Sequence, residues 1–485
     1  MKRVPNSIYV HLPFCHKKCN YCTFPIHAIG KSQQNMISFN EKTQNQYTEY
    51  LLKEMQTTLD RLFQRSHIDK KPVLDTLYFG GGTPSLISEA NLQKIFELLK
   101  NYYVFPGDNH NHCENYKDLK NKKEISFEVD PGTFDLNKLK FYENLGINRL
   151  SLGIQSFNEE ELKQLNRSHN LEDVYKSLDL ISQTKSYGDF QNVSLDLIIN
   201  TPYQEAQIAD LSKFQNEQQQ LDHNKIFEEM QKRDQQKHNG TLKHNLEELV
   251  KISPGHASIY SLMIEKESIF ARKYHFKEGK YPLPDDDKSV QNYLYTHNFL
   301  QQYGYNHYEV SSYNKLIKDK EEYVTFDENY NQSKHNKMYW EGVTQFLGFG
   351  MGAASLVDCR RFTRPKNLKK YYEFVDDLER NISHMESLQG ELEIDESQYT
   401  CLLMGSLRSK EGLNMNKIID LYGLQAAELT KKYFQQLYQQ NQKLFYQERL
   451  GQNQIRLSMT QGVFVADEII YQLIDYLTTN NAFLR

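Results

Sequence analysis

Cys15-His-Lys-Lys-Cys19-Asn-Tyr-Cys22 puts three thiols in one short stretch, with three residues and then two between them. Three thiolates are one short of the four used by a structural zinc site or an electron-transfer [4Fe–4S] cluster. A cubane held by three cysteines leaves one iron open to a substrate or cofactor. A zinc knuckle completed by His11, His16 or His27 is the first alternative, and three unrelated reduced cysteines the second. Tyr21 and Phe24 place aromatic rings beside the loop, where they can exclude solvent and stack on a heteroaromatic base.

A three-cysteine cubane is the arrangement of the radical S-adenosylmethionine (SAM) enzymes, whose open iron chelates the methionyl end of SAM. Phe79-Gly80-Gly81-Gly82-Thr83-Pro84 supplies a glycine run on which such a ligand can approach the backbone closely. Alone it is weak, because tight turns use glycines too. Four further polar side chains follow candidate strands or the next helix: Glu128, Gln155, Arg167 and Asp196. A charged or amide group at the end of an apolar strand is costly unless it points into a site. Any one of them can be a surface residue or a satisfied buried group, but four on successive units form a pattern.

The elements that must position these residues alternate. Candidate strands at 7–12, 73–79, 125–129, 148–153, 192–198 and 256–263 are separated by helical patterns at 41–63, 88–102, 135–144, 158–185 and 242–252. The reading is an α/β fold: a partial (β/α)6 barrel over residues 1–280, with the site at the strands' C-terminal ends. Polar stretches at 106–124, which holds His110 and His112, and at 204–245 read as solvated insertions, and 315–332 as a surface loop. Residues 281–394 form a connecting α+β region. Residues 395–485 carry helical patterns at 397–408, 414–422, 425–440 and 463–478 around the short apolar runs 443–446 and 455–458. That suggests a winged-helix-like unit. No basic stripe marks it for DNA, so a structural or lid role is favoured.

Composition narrows the class. With a net charge of −5 over 485 residues there is no electrostatic reason to expect a nucleic-acid partner. Six cysteines, three of them in the motif, offer no disulfide framework and suit a reducing compartment. No apolar run approaches a membrane span. Met1-Lys-Arg-Val-Pro5 runs straight into the first strand, so a cytoplasmic location is expected.

Tyr9-Val-His11-Leu-Pro-Phe-Cys15 through Phe24, the Gly-Gly-Gly-Thr-Pro run, Ser151-Leu-Gly-Ile-Gln155-Ser-Phe and Leu165-Asn-Arg167-Ser-His169-Asn170 together resemble the oxygen-independent coproporphyrinogen III oxidase-like radical SAM family. The likeness continues through His256-Ala-Ser-Ile-Tyr-Ser-Leu and Pro282-Leu-Pro to Arg456-Leu-Ser-Met-Thr460. The resemblance implies that Cys15, Cys19 and Cys22 hold the cluster and that Tyr9, Gly81 and Glu128 contact its SAM. It implies that Tyr21, Gly82, Thr83, Gln155, Arg167 and Asp196 match residues lining a second SAM site in the oxidases.

Two features separate the branches of that family. The oxidases carry a fourth cysteine where this chain has Phe24, so decarboxylation of coproporphyrinogen is not expected. Ser333-Lys-His335-Asn336-Lys-Met-Tyr339-Trp340 resembles the His-Asn-x-x-Tyr-Trp signature of a haem-chaperone branch. That implies a haem-binding protein serving haem-acceptor proteins, with His335 as axial ligand and Trp340 packing the macrocycle. The alternative for His335 is a histidine that anchors the junction through its own hydrogen bonds. Eukaryotic relatives of this branch are typically mitochondrial, against the compartment read from the N-terminus. Ala354, where the family usually has histidine, and the turn Asn200-Thr-Pro202-Tyr203-Gln204 depart from its pattern.

Overall fold

The computed structural model describes residues 4–30, 34–66, 70–105, 123–202, 241–276, 283–316, 331–341, 344–357, 360–380, 395–451, 453–480 and 482. Most of the three polar stretches, and Tyr203, Gln204 and Pro282, lie outside the described residues.

Six parallel strands follow one another in space as they do in sequence: β1 (Ser7–Leu12), β2 (Thr76–Gly81), β3 (Glu124–Val129), β4 (Arg149–Gln155), β5 (Val193–Ile199) and β6 (His256–Ser261). Between them run α1 (Gln34–Ser66), α2 (Glu89–Tyr102), α3 (Leu136–Leu145), α4 (Glu159–Gln164), α5 (Leu171–Ser182) and α6 (Thr241–Ile252). This is the expected (β/α)6 order, since parallel neighbours require crossovers of this kind. The expected helix 158–185 is broken into α4 and α5. Asn166 takes a left-handed φ of 57°, and Asn170 starts α5 with a capping box closed by Asp173.

Strand alternation sorts the two faces of the sheet. Ile8, Val10, Leu77, Phe79, Ile125, Phe127, Leu150 and Leu152 belong to the main apolar core with the crossover helices. The intervening positions carry Tyr9, His11, Thr76, Tyr78, Glu124, Glu128, Arg149, Ser151, Asp196 and His256 on the opposite face. That polar face is where a site can be built.

The sheet runs past the boundary expected at residue 280. A hairpin, β7 (Tyr305–Glu309) and β8 (Ser312–Lys315), adds antiparallel to β6, and β9 (Leu347–Phe349) adds parallel to β1. Nine strands result, in the order β9-β1-β2-β3-β4-β5-β6-β8-β7. After β6 come α7 (Ile269–Phe276) and α8 (Asp286–Gln302). Helix α9 (Lys334–Trp340) precedes β9 and packs on β2 and β3. A two-stranded hairpin, Ala354–Val357 with Arg360–Thr363, leads to α10 (Leu368–Arg380) against α1.

The C-terminal unit has a core of its own, formed by α11 (Asp395–Leu407), α12 (Met415–Gln440) and α13 (Ala466–Thr479). Gly423 at φ 86° kinks α12, where two separate helical patterns were expected. Leu413–Asn414 pairs with Gln454–Ile455, and Phe445 bridges to Leu457. No helix among the described residues is long and apolar enough to cross a membrane.

Candidate functional site

The cysteine loop leaves the C-terminal end of β1 and is pinned at both ends. Phe14–Cys15 pairs with His27–Ala28, and the Asn20 amide donates to the Leu165 carbonyl at 3.0 Å. Asn166 Nδ2 donates to the Lys18 carbonyl at 2.9 Å, so the break between α4 and α5 also seats the loop. Cys15, Cys19 and Cys22 all line one cavity of about 390 Å³.

Further residues from the ends of the neighbouring strands share that cavity. Gly81, Gly82 and Thr83 come from the end of β2, and Glu128 and Asp130 from the end of β3. Ser151, Gln155 and Asp196 come from β4 and β5, Arg167 from the α4–α5 break, and Tyr21 from the loop itself. Tyr78 donates to Glu128 Oε1 at 2.8 Å and the Gly81 amide to Oε2 at 3.2 Å. Burial still raises the Glu128 carboxyl to about 7. Asp196, raised to about 6 by burial, takes both oxygens' bonds from Ser151 at 3.1 and 2.8 Å. Gln155 sits at a left-handed φ of 70° beside a register shift between β4 and β5, which turns it into the cavity.

Arg167 organises the centre. Its guanidinium donates to Asp130 at 2.6 Å, the Gly153 carbonyl at 3.0 Å, the Tyr21 hydroxyl at 3.1 Å and Cys19 Sγ at 3.5 Å. The Thr83 hydroxyl lies 3.0 Å from Asp130 and 3.7 Å from Cys15 Sγ. Asp130 was given no role in the sequence analysis. Its role depends on an ion pair across 37 positions, which no local pattern announces.

Do these residues suit an iron–sulfur cluster carrying SAM? Among the described residues no three Cys, His, Asp or Glu side chains converge on a single metal ion. The three thiols line one cavity, where each could meet a separate iron of one cubane. Burial holds Cys15 up to about 12 and raises Cys22, so as free thiols they stay protonated until a metal displaces the proton. The buried Arg167 Nε has no hydrogen-bond partner. An unsatisfied cationic donor beside Cys19 fits an anionic group in this cavity. The glycine run has a further reason: a Cβ on Gly81, at φ +120°, would meet the His11 ring at 2.7 Å, and one on Gly82 the Pro13 carbonyl at 2.7 Å. The chain's own packing already demands those glycines.

Tyr9 and Trp340 lie elsewhere. Both line a second cavity, of about 570 Å³, between β1, α9, the Ala354–Val357 hairpin and α11. Among the described residues Phe24 alone lines both cavities, and it is 65% exposed. Burial lowers His11 to about 4 and keeps it neutral. Its Nε2–H donates to the Pro25 carbonyl at 2.8 Å, so Nδ1 accepts from the Tyr9 hydroxyl at 3.1 Å.

His335 is not on the wall of either cavity. It is 1% exposed, with Nδ1 at 2.8 Å from the Thr76 hydroxyl and Nε2 at 3.0 Å from the Tyr339 hydroxyl. Burial lowers it to about 3, so it is neutral and spends both nitrogens inside the protein. The geometry is that of the anchoring alternative, and the expected axial ligand is not presented in this conformation. A chain of bonds runs from the first cavity to the N-terminal end of α9. Ser194 donates to Asp196 at 3.1 Å and accepts from His256 Nδ1 at 2.8 Å. His256 Nε2 then accepts from Tyr308 at 2.8 Å, and the Tyr308 oxygen accepts from the Ser333 amide at 3.1 Å, at the start of α9.

Residues 9–205 match the Radical SAM superfamily. The heme chaperone HemW of Synechocystis sp. is 30% identical over 373 residues, covering 77% of this chain and 71% of that protein. The chain belongs to the HemW-like radical SAM family. The heme chaperone HemW of Lactococcus lactis subsp. lactis is 26% identical over 482 residues, 97% of this chain and 98% of the relative. The coproporphyrinogen III oxidase HemN from Escherichia coli, a radical SAM enzyme, superposes with a TM-score of 0.65 at 21% identity, covering 98% of this chain and 91% of that one. At that identity the likeness speaks for the fold alone. It places the nine-stranded sheet among radical SAM folds.

Proposed function

We propose that this member of the HemW-like family is a haem chaperone: it binds SAM and a [4Fe–4S] cluster in the first cavity, binds haem in the second, and passes haem to haem-requiring acceptor proteins. The opposite charge of the two cavities is the observation that carries this reading. The first has four carboxylates, Glu128, Asp130, Asp196 and Glu265, against Lys17 and Arg167. That balance suits SAM, whose sulfonium and ammonium are cationic. Among the described residues, the second has two arginines and no carboxylate in aromatic and aliphatic walls. That balance suits a flat apolar dianion such as haem.

Cys15, Cys19 and Cys22 would hold the cluster, and Gly81 with Glu128 the methionyl end of SAM. When bound, the cluster supplies an electron for reductive cleavage of the sulfonium. Glu128 receives an ammonium, the Arg167–Asp130 pair fixes Tyr21 and the Cys19 side of the loop, and Phe24 shields the loop on the side of the second cavity. Trp340, with Tyr339 and Phe346, forms an aromatic wall of that second cavity. His335 serves that wall by fixing the Tyr339 hydroxyl.

The test is anaerobic reconstitution with iron and sulfide, followed by two assays. Haem should quench the emission of Trp340, the only tryptophan in the chain, and then pass to an apo-haemoprotein. Incubation with coproporphyrinogen III, SAM and dithionite should give no protoporphyrinogen. Product at multiple turnovers would overturn the chaperone reading in favour of an oxidase.

A further inference from the structure

We propose that Arg361 and Arg408 clamp the carboxylate edge of the ligand in the second cavity, one propionate to each guanidinium. The seat is thereby selective for a dicarboxylic tetrapyrrole over its esters and over tetracarboxylic macrocycles. This rests on the haem-chaperone reading and names what that site recognises.

The two arginines reach the cavity from different parts of the chain. Arg361 comes from the Arg360–Thr363 strand, and Arg408 follows the last residue of α11. Arg361 is exposed and has no hydrogen-bonded or ion-paired partner among the described residues. Burial of the Tyr339 hydroxyl raises its pKa, and the charge of Arg361 opposes that rise, so the guanidinium lies within electrostatic reach of α9. Arg408 is held in place: its carbonyl accepts from the Val310 amide at 3.1 Å, and one of its N–H groups goes to Asp467. A guanidinium has four others. Met404 and Gly405, one turn before it on α11, line the same cavity. A Cβ on Gly405 would meet the Trp340 carbonyl oxygen at 2.5 Å, so α11 lies close against the end of α9.

The remaining wall is apolar, with Phe24, Met338, Trp340, Phe346 and Leu356 around the two cations. A ligand that fills this space displaces the water around them, and each guanidinium then needs an anion. Arginine meets a carboxylate through two parallel N–H···O bonds, so two arginines take two carboxylates. A macrocycle with two propionates on adjacent rings offers both from one edge and an apolar remainder for the wall. A diester leaves both guanidinium groups desolvated without a charged partner. A tetracarboxylic macrocycle brings two more carboxylates than the described lining residues have cations to meet.

The test titrates the full chain with hemin, hemin dimethyl ester and the iron complex of coproporphyrin, with quenching of Trp340 as the readout. Hemin should bind the parent roughly tenfold or more tightly than either of the others. Arg361→Gln with Arg408→Gln should bring hemin down to the affinity of the ester and leave the ester's own affinity unchanged, because the apolar wall is kept. Arg361→Gln alone removes no contact with a described residue, so it should leave the melting midpoint in place and lose part of the preference. Met404→Leu, an uncharged change on the same helix face, should keep the preference whole. If none of the three ligands quenches Trp340 in the parent, the haem-chaperone reading fails. If hemin binds and quenches but the ester or the tetra-acid binds as tightly, or the arginine variants keep the parent's preference, the clamp is wrong and that reading stands.

Discussion

Glu128 is a buried carboxyl whose charge is costly in the cluster-free protein. Burial raises its carboxyl from an ordinary 4.5 to about 7, and Asp196 nearby from 3.8 to about 6. Between those limits the folded apo protein holds more protons than the unfolded chain, so its stability falls as pH rises through the window. Glu128 alone accounts for up to about 3 kcal/mol of that loss. Thermal melts of the cluster-free protein should show the midpoint dropping from about pH 5 to about pH 7. Glu128→Gln should flatten the slope, raise the midpoint at neutral pH and weaken SAM binding. An unchanged slope would mean that Glu128 is solvated and is not held for an ammonium. Gly81→Ala tests the other side of the same corner: with φ +120° and the His11 ring 2.7 Å from a Cβ, it should destabilise the fold by several kcal/mol even without SAM. That the cysteines, Gly81 and Glu128 share one cavity was legible because each follows the C-terminal end of a candidate parallel strand. Asp130 was not, because its meaning lies in Arg167. His335 was legible as a motif, but its partners were not, since the sequence cannot show that its ring nitrogens meet Thr76 and Tyr339.

At the scale of elements, α9 is held from its N-terminal end by Glu124 at the start of β3. That carboxylate accepts from the Lys334 amide at 2.8 Å, the His335 amide at 3.1 Å and the Ser333 hydroxyl at 3.3 Å. A buried anion at a helix N-terminus satisfies amides that otherwise have no partner. Glu124→Gln keeps the volume but loses the charge and offers an N–H₂ group toward those donors, so it should cost about 1–3 kcal/mol. The melting midpoint should fall, Trp340 emission should shift to the red as α9 loosens, and haem affinity should drop while SAM binding is retained. Parent-like haem binding in this variant would show that α9 does not shape the second cavity. The six parallel strands were readable because apolar and polar residues alternate along them and turn signals follow. β9 was not, since three residues carry no period, and β7 and β8 were hidden because inward polar residues such as His307 and Asn314 break the apolar run. The split between α4 and α5 was available in Asn170-Leu-Glu-Asp173, a capping signature inside an otherwise continuous helical pattern.

The whole molecule places two cavities of opposite charge on one sheet, and among the described residues they share one side chain, Phe24. The first is made by the strand ends and the cysteine loop. The second needs the C-terminal unit, whose own core is separate from that of the sheet. That unit is tied on by the Val310 amide on the Arg408 carbonyl at 3.1 Å, the Lys410 amide on Tyr308 at 2.8 Å and Lys417 on the Glu341 carbonyl at 2.7 Å. Its helices were visible in the sequence, but no pattern reveals that α11 faces the aromatic end of α9. Because the cavities are built from different elements, cluster and haem should be separable by mutation. Cys19→Ala should remove the brown chromophore and sulfide after reconstitution. Its haem affinity should stay within about threefold of the parent, a difference of roughly 0.6 kcal/mol, with Trp340 quenched as before. The chain from Asp196 through Ser194, His256 and Tyr308 to α9 does not involve the cysteine loop, so it survives in that variant. Loss of haem binding together with the cluster would show that the seat lies on the cysteine loop itself and that the two cavities act as one.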